Sequence, residues 1–303
     1  MTKHFSGAII LFCVAMMAAG CSHTPRMNLS LTQPAKKVWV HGHRGSRGTH
    51  PENTLAAFKE AYTAGVDVLE MDLQLTADDV VVVSHEAYIT PELCRGPKGK
   101  PVSKPIPIRQ LSAQEVSLYD CGSLGNPKFP EQKRLASSIP TLESIIIWIK
   151  NEAPRLWLNI ETKFNAKDTN LFPPVETFTA KIIELLRNYN IVDQTILQSF
   201  DFRSLVFAKK LEPRLRLSCL FERPFDFCEQ TRTLGAHFAS PHHSLLTATA
   251  VEKCHQAGIE VVPWTVNIPH DWQTLLEMGV DGIITDYPRK LVDYLANRQP
   301  KPN

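Results

Sequence analysis

Long runs of one charge are missing from this sequence. Lys and Arg total 33 against 31 Asp and Glu, a formal net charge of +2, so the composition carries no electrostatic footprint for nucleic acid. None of the seven cysteines forms a CxxC pair, which argues against a thiolate metal site. What is present is 303 residues of 43% hydrophobic content. That length holds two ordinary domains or one barrel of about 250 residues.

The N-terminus reads as a targeting segment. Lys3 and His4 precede the apolar stretch FSGAIILFCVAMMAA, and Ala18-Ala19-Gly20 are small residues that a peptidase accepts. The stretch is too short for a comfortable membrane span. AAG-C resembles the lipobox of bacterial lipoproteins, with Ala18 where that family usually has Leu. The resemblance implies a signal peptide over 1–20 and a lipid on Cys21. It also implies an exported protein, anchored to a bacterial membrane and facing the periplasm or the exterior; Ser22 is compatible with outer-membrane sorting. The competing reading is a plain secretory signal with Cys21 as an accidental thiol. Residues 21–36 are polar and aperiodic, as a tether should be, and the domain is expected over 37–300. Export puts the later cysteines where disulfides persist. Cys94 and Cys121 share one loop-like region and Cys219 and Cys228 flank another, so both pairs are candidate bridges with Cys254 left over.

From residue 38 onward, short apolar runs alternate with amphipathic stretches. The strand candidates are 38–43, 66–75, 80–85, 156–162, 195–200, 215–221, 237–240, 259–266 and 281–285. Helical patterns such as 54–65, 177–190 and 247–258 end at Gly or Asn, which tolerate the left-handed cap. Such alternation predicts a parallel sheet. Nine candidates are one too many for a (β/α)₈ barrel, and HFAS (237–240) is the weakest, read as a loop. Only Thr76-Ala77-Asp78-Asp79 separates the second and third runs, so a hairpin is expected there. A doubly wound open sheet fits the periodicity almost as well. Polar residues at strand ends favour the barrel, whose chemistry collects at that rim: His43, Arg44, Glu70, Asp72, His85, Glu161, Lys163, Trp264, Asn267 and Asp286. Segment 86–140, with eight prolines, reads as a long insertion over the rim after the third strand.

Glu70 and Asp72 are two apart on a strand and face the same way. Two buried, unpaired carboxylates are costly, and a hard cation such as Mg²⁺ or Ca²⁺ resolves the repulsion. Glu161 offers a third carboxylate. Salt bridging to Arg44 or Lys163 is the bland alternative for one of them, less so for three. His43 and His85 supply the two imidazoles that an acid–base displacement needs. Arg44 and Lys163 suit a phosphate, and Gly42 and Gly45 allow a close backbone approach. His41 and His50 receive no catalytic role.

GHRG, PENT, Glu70 and Asp72, the His85 strand end, ETK at 161–163, WTVN at 264–267 and GIITDYP at 282–288 together resemble the glycerophosphodiester phosphodiesterases, in order, from about residue 38 to 295. The resemblance implies a TIM (β/α)₈ barrel of the phosphatidylinositol-phosphodiesterase-like type. It implies hydrolysis of deacylated phospholipids to glycerol 3-phosphate and an alcohol with Ca²⁺ or Mg²⁺. By that resemblance His43 and His85 are the acid–base pair, and Glu70, Asp72 and Glu161 the metal ligands. Arg44 and Lys163 hold phosphate, Trp264 packs on the glycerol, and Glu52 anchors the first loop. A glycerol hydroxyl attacks phosphorus, and water opens the cyclic phosphate. Glu86 stands where the family has Asp, which implies an altered substrate preference. Export favours Ca²⁺. Two other outcomes are consistent with the residues: an enzyme acting on lysophospholipids or stopping at a cyclic phosphate, and a silent lipoprotein that binds phosphate esters.

Overall fold

The computed structural model describes residues 37–164, 168 and 170–298. The expected signal peptide, Cys21 and the tether lie outside them. Within them, strands and helices alternate: β1 Trp39–Gly42, α1 Leu55–Ala64, β2 Val68–Leu75, α2 Leu142–Glu152, β3 Trp157–Thr162, α3 Val175–Asn188, β4 Thr195–Ser199, α4 Phe202–Leu211, β5 Arg216–Phe221, α5 Phe227–Leu234, β6 Phe238–Pro241, α6 Ala248–Gln256, β7 Glu260–Val261, α7 Pro269–Met278, β8 Gly282–Thr285 and α8 Pro288–Arg298. Neighbouring strands from β1 to β7 pair in parallel, and β8 pairs with β1. The seam between β7 and β8 is closed by Asp281 N–H to Val261 O, Ile284 N–H to Pro263 O and Val266 N–H to Ile284 O. Pro263 has no N–H to give, so that ladder is irregular and β7 is short. The result is the eight-stranded (β/α)₈ barrel expected from the sequence.

Side-chain alternation explains the barrel. In β2, Leu69, Met71 and Leu73 join the apolar layer under the helices, while Glu70 and Asp72 point the other way. The helices start and stop where sequence chemistry dictates. Thr54 caps α1 and Thr141 caps α2 by accepting from backbone N–H groups. The three expected C-terminal stops, Gly65, Asn190 and Gly258, all take a left-handed φ of +90°, +51° and +73°.

Three expectations change. HFAS is not a loop: Phe238–Pro241 is fully buried β6, paired with β5 and β7. The surplus strand is instead Val81–Val83, which runs antiparallel to β2 in the hairpin expected at that turn. The four-residue turn permits nothing else, because a parallel return needs a crossover. Segment 86–140 therefore belongs to the second βα connection. It has its own small core around Val82, Ile89, Val102, Ile108 and Val116. Its root is pinned by Val83 N–H to Pro140 O. The third change concerns the disulfides. Cys94–Cys121 is present as expected, but the second bridge is Cys228–Cys254, and Cys219 is a buried free thiol. Cys228 and Cys254 lie on adjacent helices α5 and α6, whereas Cys219 sits within β5.

Candidate active site

Barrel register assembles the site. Asp72 of β2 stands opposite Glu161 of β3, and Glu161 opposite Gln198 of β4. Ligand oxygens of Glu70, Asp72 and Glu161 all lie within 4.8 Å of one another. Seven of the eight residues expected to carry chemistry (His43, Arg44, Glu70, His85, Glu161, Lys163 and Trp264) line one cavity of about 280 Å³ at the strand C-termini. Asp72, fully buried, lies just beneath. A larger groove of about 730 Å³ between α4 and α5 holds none of them and is an apolar crease on the outer wall.

The first loop is wound tightly around the carboxylates. Arg44 and Asn53 both adopt left-handed φ, +49° and +56°, conformations that cost free energy unless the surroundings enforce them. The turn aims the Arg44 N–H at Glu70 Oε2, 2.8 Å away, and the Asn53 amide at Asp72 Oδ2, 2.9 Å away. Gly45 is required for a reason other than ligand approach: at φ +84°, a Cβ there would come 2.6 Å from the backbone of Ala57 in α1. The loop is thus pressed against its own helix.

The cations are tied to the acids. Arg44 contacts Glu52 at 2.6 Å and Asp72 at 3.1 Å. Lys163 contacts Glu161 at 2.6 Å and Asp72 at 2.9 Å. Glu52 also holds Arg47 at 2.9 Å, so it anchors the first loop as expected. Burial works against every one of these charges. For Asp72, Lys163 and Arg44 overcome it and hold the carboxyl well below its ordinary value. For Glu70, burial is reinforced by Asp72 and Glu161, and the carboxyl is pushed well above. Burial also raises Glu161, against the pull of Lys163. Lys163 and Arg44 both rise despite burial, because of Asp72 and its neighbours, and both remain protonated.

Two observations test whether these residues fit a divalent cation. Among the described residues, no Lys or Arg side-chain nitrogen lies within 4 Å of the Glu70 carboxylate; the imidazole nitrogen His43 Nε2 comes to 3.9 Å. Asp72 Oδ1 is buried without hydrogen-bond geometry to any partner, although Lys163 Nζ lies close. Three converging oxygen donors, one of them deficient in positive charge, suit a hard cation.

The histidines differ. His43 Nδ1 lies 2.6 Å from Asp286 Oδ1, and Asp286 Oδ2 accepts from Asn267 Nδ2 at 2.7 Å. Burial lowers the His43 imidazole, and Asp286 only partly opposes it. His85 Nδ1 lies 2.8 Å from Glu86 Oε1 on a half-exposed edge; its hydrogen bond to His85 lowers the Glu86 carboxyl. His41 sits inside the barrel, where burial drives its imidazole down to about 3, and His50 pairs locally with Thr49. Sequence reasoning gave Asp286 no role and missed Asn53, Asn159 and Gln198. Asp286 was visible as a strand-end carboxylate, but its partner is 243 residues away. The amides gave no signal, because one buried Asn or Gln looks like another.

The chain matches the model of the glycerophosphoryl diester phosphodiesterase family over residues 43–290. It is 31% identical over 261 residues to a protein named glycerophosphodiester phosphodiesterase from Caldanaerobacter subterraneus subsp. tengcongensis, covering 85% of this chain and 97% of that protein. A protein named lysophospholipase D GDPD1 from Rattus norvegicus is 26% identical, covering 84% and 85%. Among solved structures, one from Silicibacter pomeroyi superposes with a TM-score of 0.81 at 28% identity, over 88% of this chain and 95% of that one. An Oleispira antarctica phosphodiesterase solved in complex with the product sn-glycerol-3-phosphate gives 0.72 at 26% identity, over 85% and 96%. With a barrel of the same shape and a family match across most of its length, this chain is an enzyme that belongs to the glycerophosphoryl diester phosphodiesterase family.

Proposed function

We propose that the protein hydrolyses glycerophosphodiesters to glycerol 3-phosphate and an alcohol, using His43 and His85 for proton transfer and Glu70, Asp72 and Glu161 to hold Ca²⁺ or Mg²⁺. The observation that carries this reading is the convergence of two imidazoles and three carboxylates on one cavity. The relative solved with sn-glycerol-3-phosphate supports the product. A cation held by the three carboxylates would supply positive charge against the phosphoryl oxygens as negative charge develops there.

The chain's own groups divide the remaining work. With its Nδ1 tied to Asp286, His43 presents Nε2 to the cavity and takes the proton of the attacking glycerol hydroxyl. As the bond from phosphorus to the alcohol breaks, His85 protonates the departing oxygen. Glu86 holds that ring by its Nδ1. Water then opens the cyclic phosphate with the two roles reversed. Arg44 and Lys163 border the cavity and orient the phosphate, and Trp264 packs on the glycerol.

The test is release of glycerol 3-phosphate from glycerophosphocholine and glycerophosphoethanolamine, first in EDTA and then with Ca²⁺ or Mg²⁺ restored. Metal-restored release supports the reading, whereas release undiminished by EDTA removes the metal from it. A second reading has its own support. Phe200, at the cavity edge, is 43% exposed, an apolar lip suited to an acyl chain, and one relative is named a lysophospholipase D. Lysophosphatidylcholine belongs in the same assay; a higher kcat/KM there favours the lipid substrate. For the N-terminus, Cys21→Ser should leave a soluble or unprocessed protein, and continued membrane partitioning would exclude lipidation as the anchor.

A further inference from the structure

From Gln198, which lines the cavity, a chain of carboxamides runs down into the barrel with a single direction. Gln198 of β4 is 1% exposed. Its Nε2 donates to Glu70 Oε1 at 2.8 Å, and its Oε1 accepts from Asn159 Nδ2 at 3.0 Å. Asn159 Nδ2 also lies 3.4 Å from Nδ1 of His41. Chemistry fixes the orientation of both amides. A carboxylate that holds a cation only accepts, so in that state the Gln198 NH₂ faces Glu70, and the Asn159 NH₂ then faces Gln198 Oε1. Burial keeps His41 neutral, so its ring retains an acceptor nitrogen at the far end of the chain.

Glu70 is consequently gripped from two sides. Its Oε1 is held by Gln198 from β4, and its Oε2 by the Arg44 N–H from the first loop. Two donors on different elements fix the carboxylate plane, with a Glu70 oxygen within 4.8 Å of those of Asp72 and Glu161. Groups that hold a ligand by its second atom set its orientation, and losing one typically weakens metal affinity by about 10- to 100-fold.

We propose that Gln198 is a positioning residue that sets the orientation of Glu70 toward a divalent cation, and that Asn159 acts on the same carboxylate by fixing the Gln198 amide. The proposal rests on the metal reading above. Its rival is that Gln198 is simply a satisfied polar residue filling the barrel, in which case its loss costs stability alone.

The test is calorimetric titration of Ca²⁺ and Mg²⁺ into EDTA-stripped, dialysed protein, alongside thermal melts of the same samples in EDTA. Gln198→Leu should weaken the affinity at least about 10-fold. Asn159→Ala, which leaves the donor to Glu70 in place, should weaken it less. The double variant should bind no worse than Gln198→Leu, because both act through one contact. If Gln198→Leu binds within twofold of the unsubstituted protein, or if the two losses add in full, the proposal is overturned. If Gln198→Leu does not fold, Asn159→Ala carries the test alone: unchanged affinity overturns it. If the unsubstituted protein binds neither ion, the metal reading itself has failed, an outcome distinct from the others.

Discussion

The cavity has two walls of opposite material. On the β1–β3 side stand Arg44, Glu70, Glu161 and Lys163, each held by partners on another element or further along its own strand. On the β4, β5 and β7 side stand Phe200, Leu220 and Trp264, interspersed with Gln198 and Glu222; the rings of Phe200 and Trp264 meet edge to face, 5.5 Å apart at 87°. Trp264 gives its indole N–H to Ser240 O and so presents an apolar ring face. The charged wall is a network in which moving one member strands another. The apolar wall is a set of separate surfaces, each replaceable without unpairing a charge. On the proposed reading, chemistry belongs to one wall and choice of substrate to the other.

This contrast can be broken most forcefully at Asp72. Asp72→Ala should abolish activity at any metal concentration. It should also destabilise the fold by about 3–5 kcal/mol, because Lys163 and Arg44 lose a buried counter-charge; activity assays and denaturant melts measure the two effects. Unchanged stability would show that the network is looser than its distances imply. His43→Ala should lower kcat by roughly 10³–10⁴ with substrate binding largely kept, as single-turnover kinetics would resolve. Next in size is Asp286→Asn, expected to cost about 10² in kcat with little change in KM. A change confined to KM would assign Asp286 to substrate binding instead. On the apolar wall, Trp264→Ala should raise KM about 10-fold and leave kcat within about threefold, the signature of lost uniform binding. A drop in kcat matching that of the charged-wall variants would dissolve the distinction.

The two walls were not equally legible in the sequence. Strand-end residues of the charged wall announce themselves, because His, Glu and Lys at the ends of apolar runs have few structural uses. Trp264 stands out as a strand-end residue, but its role comes only from the family resemblance, and Phe200 and Leu220 look like ordinary core. What holds the charged groups was hidden as well. Gln198 meets Glu70 across 128 positions, and cross-strand register is not written in local periodicity. The fold shows the same division. Alternation and cap residues were readable, whereas Phe238–Pro241 was too short to be recognised alone, and only its place between β5 and β7 makes it a strand. Nearness in sequence likewise favoured Cys219 for Cys228, where helix packing chose Cys254.

The short antiparallel strand Val81–Val83 has a consequence for how such an enzyme can diversify. It delivers His85 to the rim on a hairpin rather than on a barrel strand, and Val82 and Thr141 form a bridge where the following segment returns. The two ends of that segment are therefore already joined, and a longer or shorter excursion between them adds only a slowly growing loop-closure cost. One of the two imidazoles proposed to transfer protons, His85, is thus mounted at the neck of an exchangeable module, while the other, His43, belongs to the closed barrel. Lineages or designers can refit that module without re-registering a single barrel strand.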